Sequence, residues 1–154
     1  MRGLMLMTLS QQRNRFILVL CCLGIIALGL ASRQYPQYFP TFMGKYLGDG
    51  LWTAMVYFIG ACFFPSQSFL RIALIALLIS FGVEFSQLIQ LPWLNAIRHT
   101  AVGHLILGTT FSPKDLLAYC FGTVGALGMD FLVFPASRKP LSQIVNQWVS
   151  ERRR

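Results

Sequence analysis

The stretch "FLRIALIALLISFGVEFSQLIQL", residues 69–91, is an apolar run whose only ionisable side chain after Arg71 is Glu84. Crossing the hydrocarbon core of a bilayer takes roughly 17–25 helical residues at about 1.5 Å of rise each, and this run has that length. A carboxylate at the centre of such a span costs ~2.5–3.5 kcal/mol on insertion scales, so it has to face protein or water rather than lipid. Ser80, Glu84 and Gln87 are spaced by four and three residues and share one helix face. Gln90 repeats the spacing, and the helix is expected to continue to Leu91, because Pro92 disfavours helix in the residue before it. Counted back from that end, Glu84 lies about seven residues, or roughly 10 Å, below the outer surface.

Working outward from this run, three more stretches nearly lack charge over a comparable length: 16–32, 116–135 and, with Asp49 at its edge, 46–64. The composition agrees. Of 154 residues, 55% are hydrophobic and only 12% charged, with a mean hydropathy of +0.59, whereas an ordinary soluble domain carries about 25% charge. The reading is an all-α polytopic membrane protein, a single domain over 1–154 with about four transmembrane helices. A polar lead occupies 1–15 and a basic tail 136–154, within which "LSQIVNQWVSERRR", 141–154, has the pattern of a short amphipathic helix.

The connections follow from turn chemistry. "FFPSQSF", 63–69, predicts a tight turn and an antiparallel pair of helices on either side of it. In "RQYPQYFPTFMGKYLGDG", 33–50, Pro36, Pro40, Gly44 and Gly48 argue against continuous helix, and the crowded aromatics read as a belt at the lipid headgroups. Residues 92–114, with mixed polar and apolar character, are too short and too polar to span and are expected to form an interfacial or re-entrant element between the last two helices. "SPKD", 112–115, predicts a helix start with Ser112 as N-cap and Pro113 in the first turn. Gly122, Gly125 and Gly128 are expected to bring small faces of that helix against its neighbours.

The net charge of +8 and pI of about 9.9 follow the membrane rather than nucleic acid. Nine of the thirteen basic residues are the eight at the two ends and Arg71 beside the short link between the second and third helices, against Arg33, Lys45, Arg98 and Lys114 on the other side. An excess of Lys and Arg marks cytoplasmic segments, so both termini are expected in the cytoplasm. The basic tail lacks the fold and interleaved aromatics of a nucleic-acid module and is expected to touch anionic lipid. Arg13 and Arg15 followed by an apolar stretch and "GLA", 29–31, also resemble a signal peptide. The span is expected to be retained, because its removal would take a packing partner from the later helices.

Among residues that could carry chemistry, Glu84 is expected at the floor of an outward-facing pocket, with Arg98 from the next segment as the nearest cation. Asp49 and Asp115 are each expected to open a helix, where a carboxylate meets orphan amides and the positive end of the dipole. Tyr119 follows Asp115 by one turn on the same face. The candidate ligand-binding set is therefore Glu84, Gln87, Arg98, Asp115 and Tyr119, with Asp49 and Arg33 as outlying members. His99 and His104 lack the i, i+4 spacing of a helical metal pair, and Cys21, Cys22, Cys62 and Cys120 sit in apolar runs as small hydrophobes. No metal or cofactor is expected. Ser80 and Ser86 have no nucleophile elbow around them, so no catalytic residue is assigned.

The order "VEFSQ", 83–87, then Arg98, then "FSPKDLLAYCFGTVGALG", 111–128, resembles the VanZ-like membrane proteins. "FPTFMGKYLGDGLWTAMVYF", 39–58, with "LPWLNAIR", 91–98, and "LGTTFSPKDLLAY", 107–119, is more similar still to the small bacterial membrane proteins of the domain-of-unknown-function family numbered 2809. The resemblance spans roughly 30–130 and singles out Glu84, Gln87, Arg98 and Asp115; Tyr119 stands where VanZ-like proteins commonly have Asn. It implies a place in the bacterial cytoplasmic membrane and the cell envelope, without a settled reaction. A ribosomal-maturation label sometimes attached to the second family finds no support in a chain with so few soluble residues.

Three functions are open to such a chain. The first is an accessory binding protein whose outer pocket holds an envelope-lipid headgroup, with Arg98 on its phosphate. The second is an enzyme using Glu84 and Asp115 as an acid and base on a lipid-linked substrate. The third is a structural subunit or assembly factor within a membrane complex. Membrane lipids, and a membrane-protein partner in the last case, are the expected partners; nucleic acid is not.

Overall fold

The computed structural model describes residues 13–38 and 41–134, and at 33, 36 and 41–45 the backbone alone. Its helices are α1 (Arg15–Gln34), α2 (Thr41–Phe63), α3 (Phe69–Ser86), α4 (Pro92–Arg98), α5 (Ala101–Leu107) and α6 (Pro113–Val133), with a 3-10 turn at Pro36–Tyr38. Among the described residues there is no strand. Arg15–Ser32, Phe69–Ser86 and Pro113–Val133 are long and apolar enough to cross a membrane. The fourth long helix, α2, packs against α1, α3 and α6 and forms the centre of the bundle.

Local chemistry sets most boundaries. Asn14 starts α1 by accepting the amide of Phe16 at 2.9 Å, and Ser68 starts α3 by accepting that of Arg71 at 3.2 Å. These side chains satisfy amides that a helix start leaves orphaned. The link between α2 and α3 is the tight turn expected from Pro65, and it sends α3 back antiparallel to α2. Thr53 of α2 then meets Ser80 of α3, with a hydrogen bond of 3.0 Å between their buried hydroxyls.

Small and aromatic residues fill the interior. Leu18, Tyr57, Phe58 and Ala61 are buried on α1 and α2, and Ala73, Ala76 and Ala126 bring α3 and α6 close. Large apolar side chains instead clothe the outside: Leu74 and Leu78 on α3, and Phe121, Val124 and Leu132 on α6, are exposed. Small residues within and bulky apolar ones outside are what helix packing in lipid requires.

Four expectations are corrected. Helix α2 begins at Thr41, so Gly44 and Gly48 lie within it and Asp49 sits more than two turns inside rather than at its start. Helix α3 ends at Ser86 rather than continuing to Leu91, which puts Glu84 in its last turn instead of seven residues from the helix end. Ser112 occupies the N-cap position of α6 with Pro113 after it, but its side chain makes no capping bond. Of the three glycines in α6, only Gly122 meets a neighbouring helix: a Cβ there would lie 2.1 Å from the carbonyl oxygen of Gly50, whereas Gly125 and Gly128 have nothing within 4 Å. The polar lead over 1–12 and the tail over 135–154, with its amphipathic helix, lie outside the described residues.

Candidate functional site

Glu84 is wholly buried and holds three donors. Its Oε1 accepts the backbone amide of Ser112 at 2.6 Å, and its Oε2 accepts the Tyr119 hydroxyl at 2.9 Å and the Gln87 amide Nε2 at 3.2 Å. The last turn of α3 is thereby tied to the first turns of α6. An anion at a helix N-terminus meets the positive end of the dipole, and charge-assisted hydrogen bonds of this kind are the strong ones. Glu84 thus satisfies the amide of the N-cap residue itself, the donor that the third residue of a capping box would otherwise take.

The carboxylate forms one wall of a cavity of about 470 Å³. Asp49, Trp52, Gln87, His104, Thr109, Thr110, Asp115 and Tyr119 also line it. Three carboxylates, one each from α2, α3 and α6, converge at this end of the bundle, with the Trp52 and Tyr119 rings 6.3 Å apart. Gln87 is 6% exposed, and its Oε1, turned from the Glu84 bond that its Nε2 makes, has no hydrogen-bond partner. The shape around Gln87 depends on Gly108, whose φ of 62° favours glycine and whose missing Cβ would lie 2.6 Å from the Gln87 Nε2.

Arg98 departs from its expected place. Among the described residues no ion pair joins it to Glu84. At 1% exposure its guanidinium donates to the carbonyls of Ile89 at 2.8 Å and Ser86 at 2.6 Å, with weaker bonds to the Ser86 hydroxyl and Asn95 Oδ1. A cation at the last carbonyls of a helix is favoured by the negative end of its dipole, so Arg98 caps the C-terminus of α3 at Ser86. Arg98 lines a second cavity, of about 490 Å³, together with Gln90, Asn95, His99, His104, Thr109 and Thr110. Its Nε is buried without a partner. The two cavities share His104, Thr109 and Thr110.

Glu84, Gln87, Asp115, Tyr119 and Asp49 are therefore brought together around one cavity, and Arg98 stands behind the wall it shares with the next. Arg33 falls in the last turns of α1, and its side chain lies outside the described residues. Among the described residues no group of three or more His, Cys, Asp and Glu side chains is placed to hold a metal ion.

A second buried cluster escaped sequence reasoning. At the opposite end of the bundle Arg13 pairs with Asp130 of α6 at 3.0 Å, and the Tyr57 hydroxyl donates to the same Asp130 oxygen. Arg13, Tyr57 and Asp130 are all buried. In the sequence Arg13 is one more charge flanking a span, and Asp130 stands inside the apolar run 116–135. The usable sign was that an ionisable group within a span tends to be paired, and Arg13 lies at the matching end of another span.

Apolar outer faces, small-residue packing within and a polar site at one end define an all-α membrane protein. The chain belongs to the family described as protein of unknown function (DUF2809), which matches residues 38–123, more than half its length. No solved structure matches the chain.

Proposed function

We propose that this protein is an accessory binding protein of the bacterial cytoplasmic membrane that holds the polar headgroup of an envelope lipid in the cavity around Glu84. The observation that carries the reading is a roomy polar cavity at one end of the bundle, lined by Asp49, Glu84, Gln87, Asp115 and Tyr119. A cavity of about 470 Å³ is also within the ordinary range for small-ligand sites, roughly 300–1,000 Å³. The VanZ-like order of Glu84, Gln87, Arg98 and Asp115 supports an envelope role. The basic asymmetry, nine residues to four, supports an orientation with both termini in the cytoplasm and this cavity outside. At Arg98 alone a structural reading is favoured, because its bonds to Ser86 and Ile89 fix the end of α3.

Lipid copurification tests the proposal. Mass spectrometry of wild-type protein is expected to find one lipid class enriched over the surrounding membrane. A Gln87→Met variant, close in volume but without the amide, should lose that enrichment while folding. A bound-lipid profile equal to the bulk membrane in both proteins would reject the binding role.

A further inference from the structure

Separately from the Glu84 cavity, we infer that the groove between α1 and α6 is a binding site for one anionic phospholipid, its phosphate on Lys114 and its acyl chains laid along α2. Helices α1 and α6 both pack on α2 and scarcely meet each other. Between them runs a groove of about 1140 Å³. Its floor includes Gly50 and Ala54 of α2, and its walls carry Leu20 and Leu28 of α1 with Phe121 and Met129 of α6. Gly24 and Gly125 line it from the two walls, and a Cβ on either would have nothing within 4 Å. Within a bilayer such a space is filled, because atoms lining a void lose their dispersion contacts.

Length and closure select the occupant. From Lys114 to Met129 the groove follows α6 for roughly 22 Å at helical rise. A bilayer with its headgroups is about 40–45 Å thick, so the groove has the depth of one leaflet, from phosphate to chain end. A partner's transmembrane helix needs about 30 Å for the hydrocarbon core alone. It would also have to pass the far end, where Arg13 and Asp130, the residue after Met129, close α1 onto α6 at 3.0 Å.

The near end is open and positive. Lys114, Leu117 and Phe121 recur at three- and four-residue spacing on the groove side of α6, whereas Asp115 and Tyr119 line the Glu84 cavity. Lys114 is exposed and is the groove's one charged residue among the described residues, where no ion pair holds its ammonium. A lysine with its stem on apolar surface and its head at the interface is placed for a lipid phosphate. A zwitterionic lipid would bring a second cation beside it, so a headgroup of net negative charge is preferred.

Native mass spectrometry tests the site on the full-length protein released from nanodiscs of dioleoylphosphatidylcholine with graded amounts of dioleoylphosphatidylglycerol. Wild type should keep one lipid per chain and prefer phosphatidylglycerol about fivefold, the worth of one basic residue at an anionic surface. Lys114→Gln should still keep a lipid but without the preference. Gly125→Leu and Gly24→Leu fill the groove from opposite walls, where nothing stands in the way. Each should lose the lipid while its unfolding midpoint in detergent shows it folded, and the pair guards against a defect confined to one helix. Gln87→Met, in the other cavity, should keep the groove lipid. A preference surviving in Lys114→Gln, or a lipid surviving in both leucine variants, would overturn the assignment. So would a lipid lost from Gln87→Met alone, which belongs to the Glu84 cavity, or a wild-type dimer that the leucine variants separate, which gives the groove to a second copy.

Discussion

Glu84 answers its own puzzle at the scale of a single residue. The sequence placed a carboxylate on a polar face with Ser80 and Gln87 and required it to point inward, and it does. What could not be read was which donors it meets, because Ser112 and Tyr119 lie far along the chain and the geometry that delivers them depends on α4 and α5. Arg98 was the obvious partner by charge, yet the carbonyls at the end of α3 lie in its reach and hold it. With three donors on one buried carboxylate, Glu84→Gln turns an NH₂ group toward at least one of them. The loss should be roughly 1.5–3 kcal/mol, as for hydrogen bonds to a charged group. Thermal unfolding in detergent measures it, and an unchanged midpoint would mean the three bonds carry little stability. Tyr119→Phe removes one donor without opposing another and should cost about 1 kcal/mol. Its midpoint should fall between those of wild type and Glu84→Gln.

For the elements, legibility followed the apolar runs and stopped at glycine and proline. The antiparallel pair around 63–69 is legible because breakers interrupt the apolar run there, and 92–114 is legible as a segment too short and too polar to span, though not as the two short helices α4 and α5. The start of α2 was not, because Gly44 and Gly48 read as breakers although glycine in a membrane helix often serves close packing. The α2–α6 crossing is the clearest case, for Gly122 backs onto the Gly50 backbone. Gly122→Ala would place a Cβ 2.1 Å from the Gly50 carbonyl oxygen, and a backbone atom cannot rotate aside. The helices must separate, at a cost of about 1–3 kcal/mol or more for overpacking. Gly125→Ala and Gly128→Ala meet nothing within 4 Å and should be neutral or stabilise by up to about 1 kcal/mol through helix propensity. Measuring the three variants side by side separates a packing glycine from two that merely lie in the same helix; equal effects would refute the distinction.

Across the whole molecule the two buried polar clusters sit at opposite ends of the bundle, which gives the proposed orientation a direct readout. Gln37, between α1 and α2, and Ser66, between α2 and α3, are exposed at opposite ends. In a background lacking the native cysteines, Gln37→Cys should react with an impermeant thiol reagent on intact cells and Ser66→Cys should not. The reverse pattern would put the Glu84 cavity on the cytoplasmic side. The other end bears on how the bundle closes: Arg13 before α1 and Asp130 in the last turn of α6 are joined across helices that otherwise meet chiefly through α2. Removing one partner of a buried pair leaves the other charge uncompensated, a loss of about 3–5 kcal/mol, whereas replacing both with apolar groups of similar volume is often neutral or better. Asp130→Leu should therefore destabilise strongly, because it strands a guanidinium already unsatisfied by hydrogen bonds and removes the acceptor of the Tyr57 hydroxyl. Arg13→Met should destabilise less, since Tyr57 still donates to Asp130. The double variant is the decisive one, and its unfolding midpoint should recover most of the loss seen with Asp130→Leu alone. Were the two single losses to add in the double variant, the residues would be energetically independent and the pair would not be what holds α1 to α6.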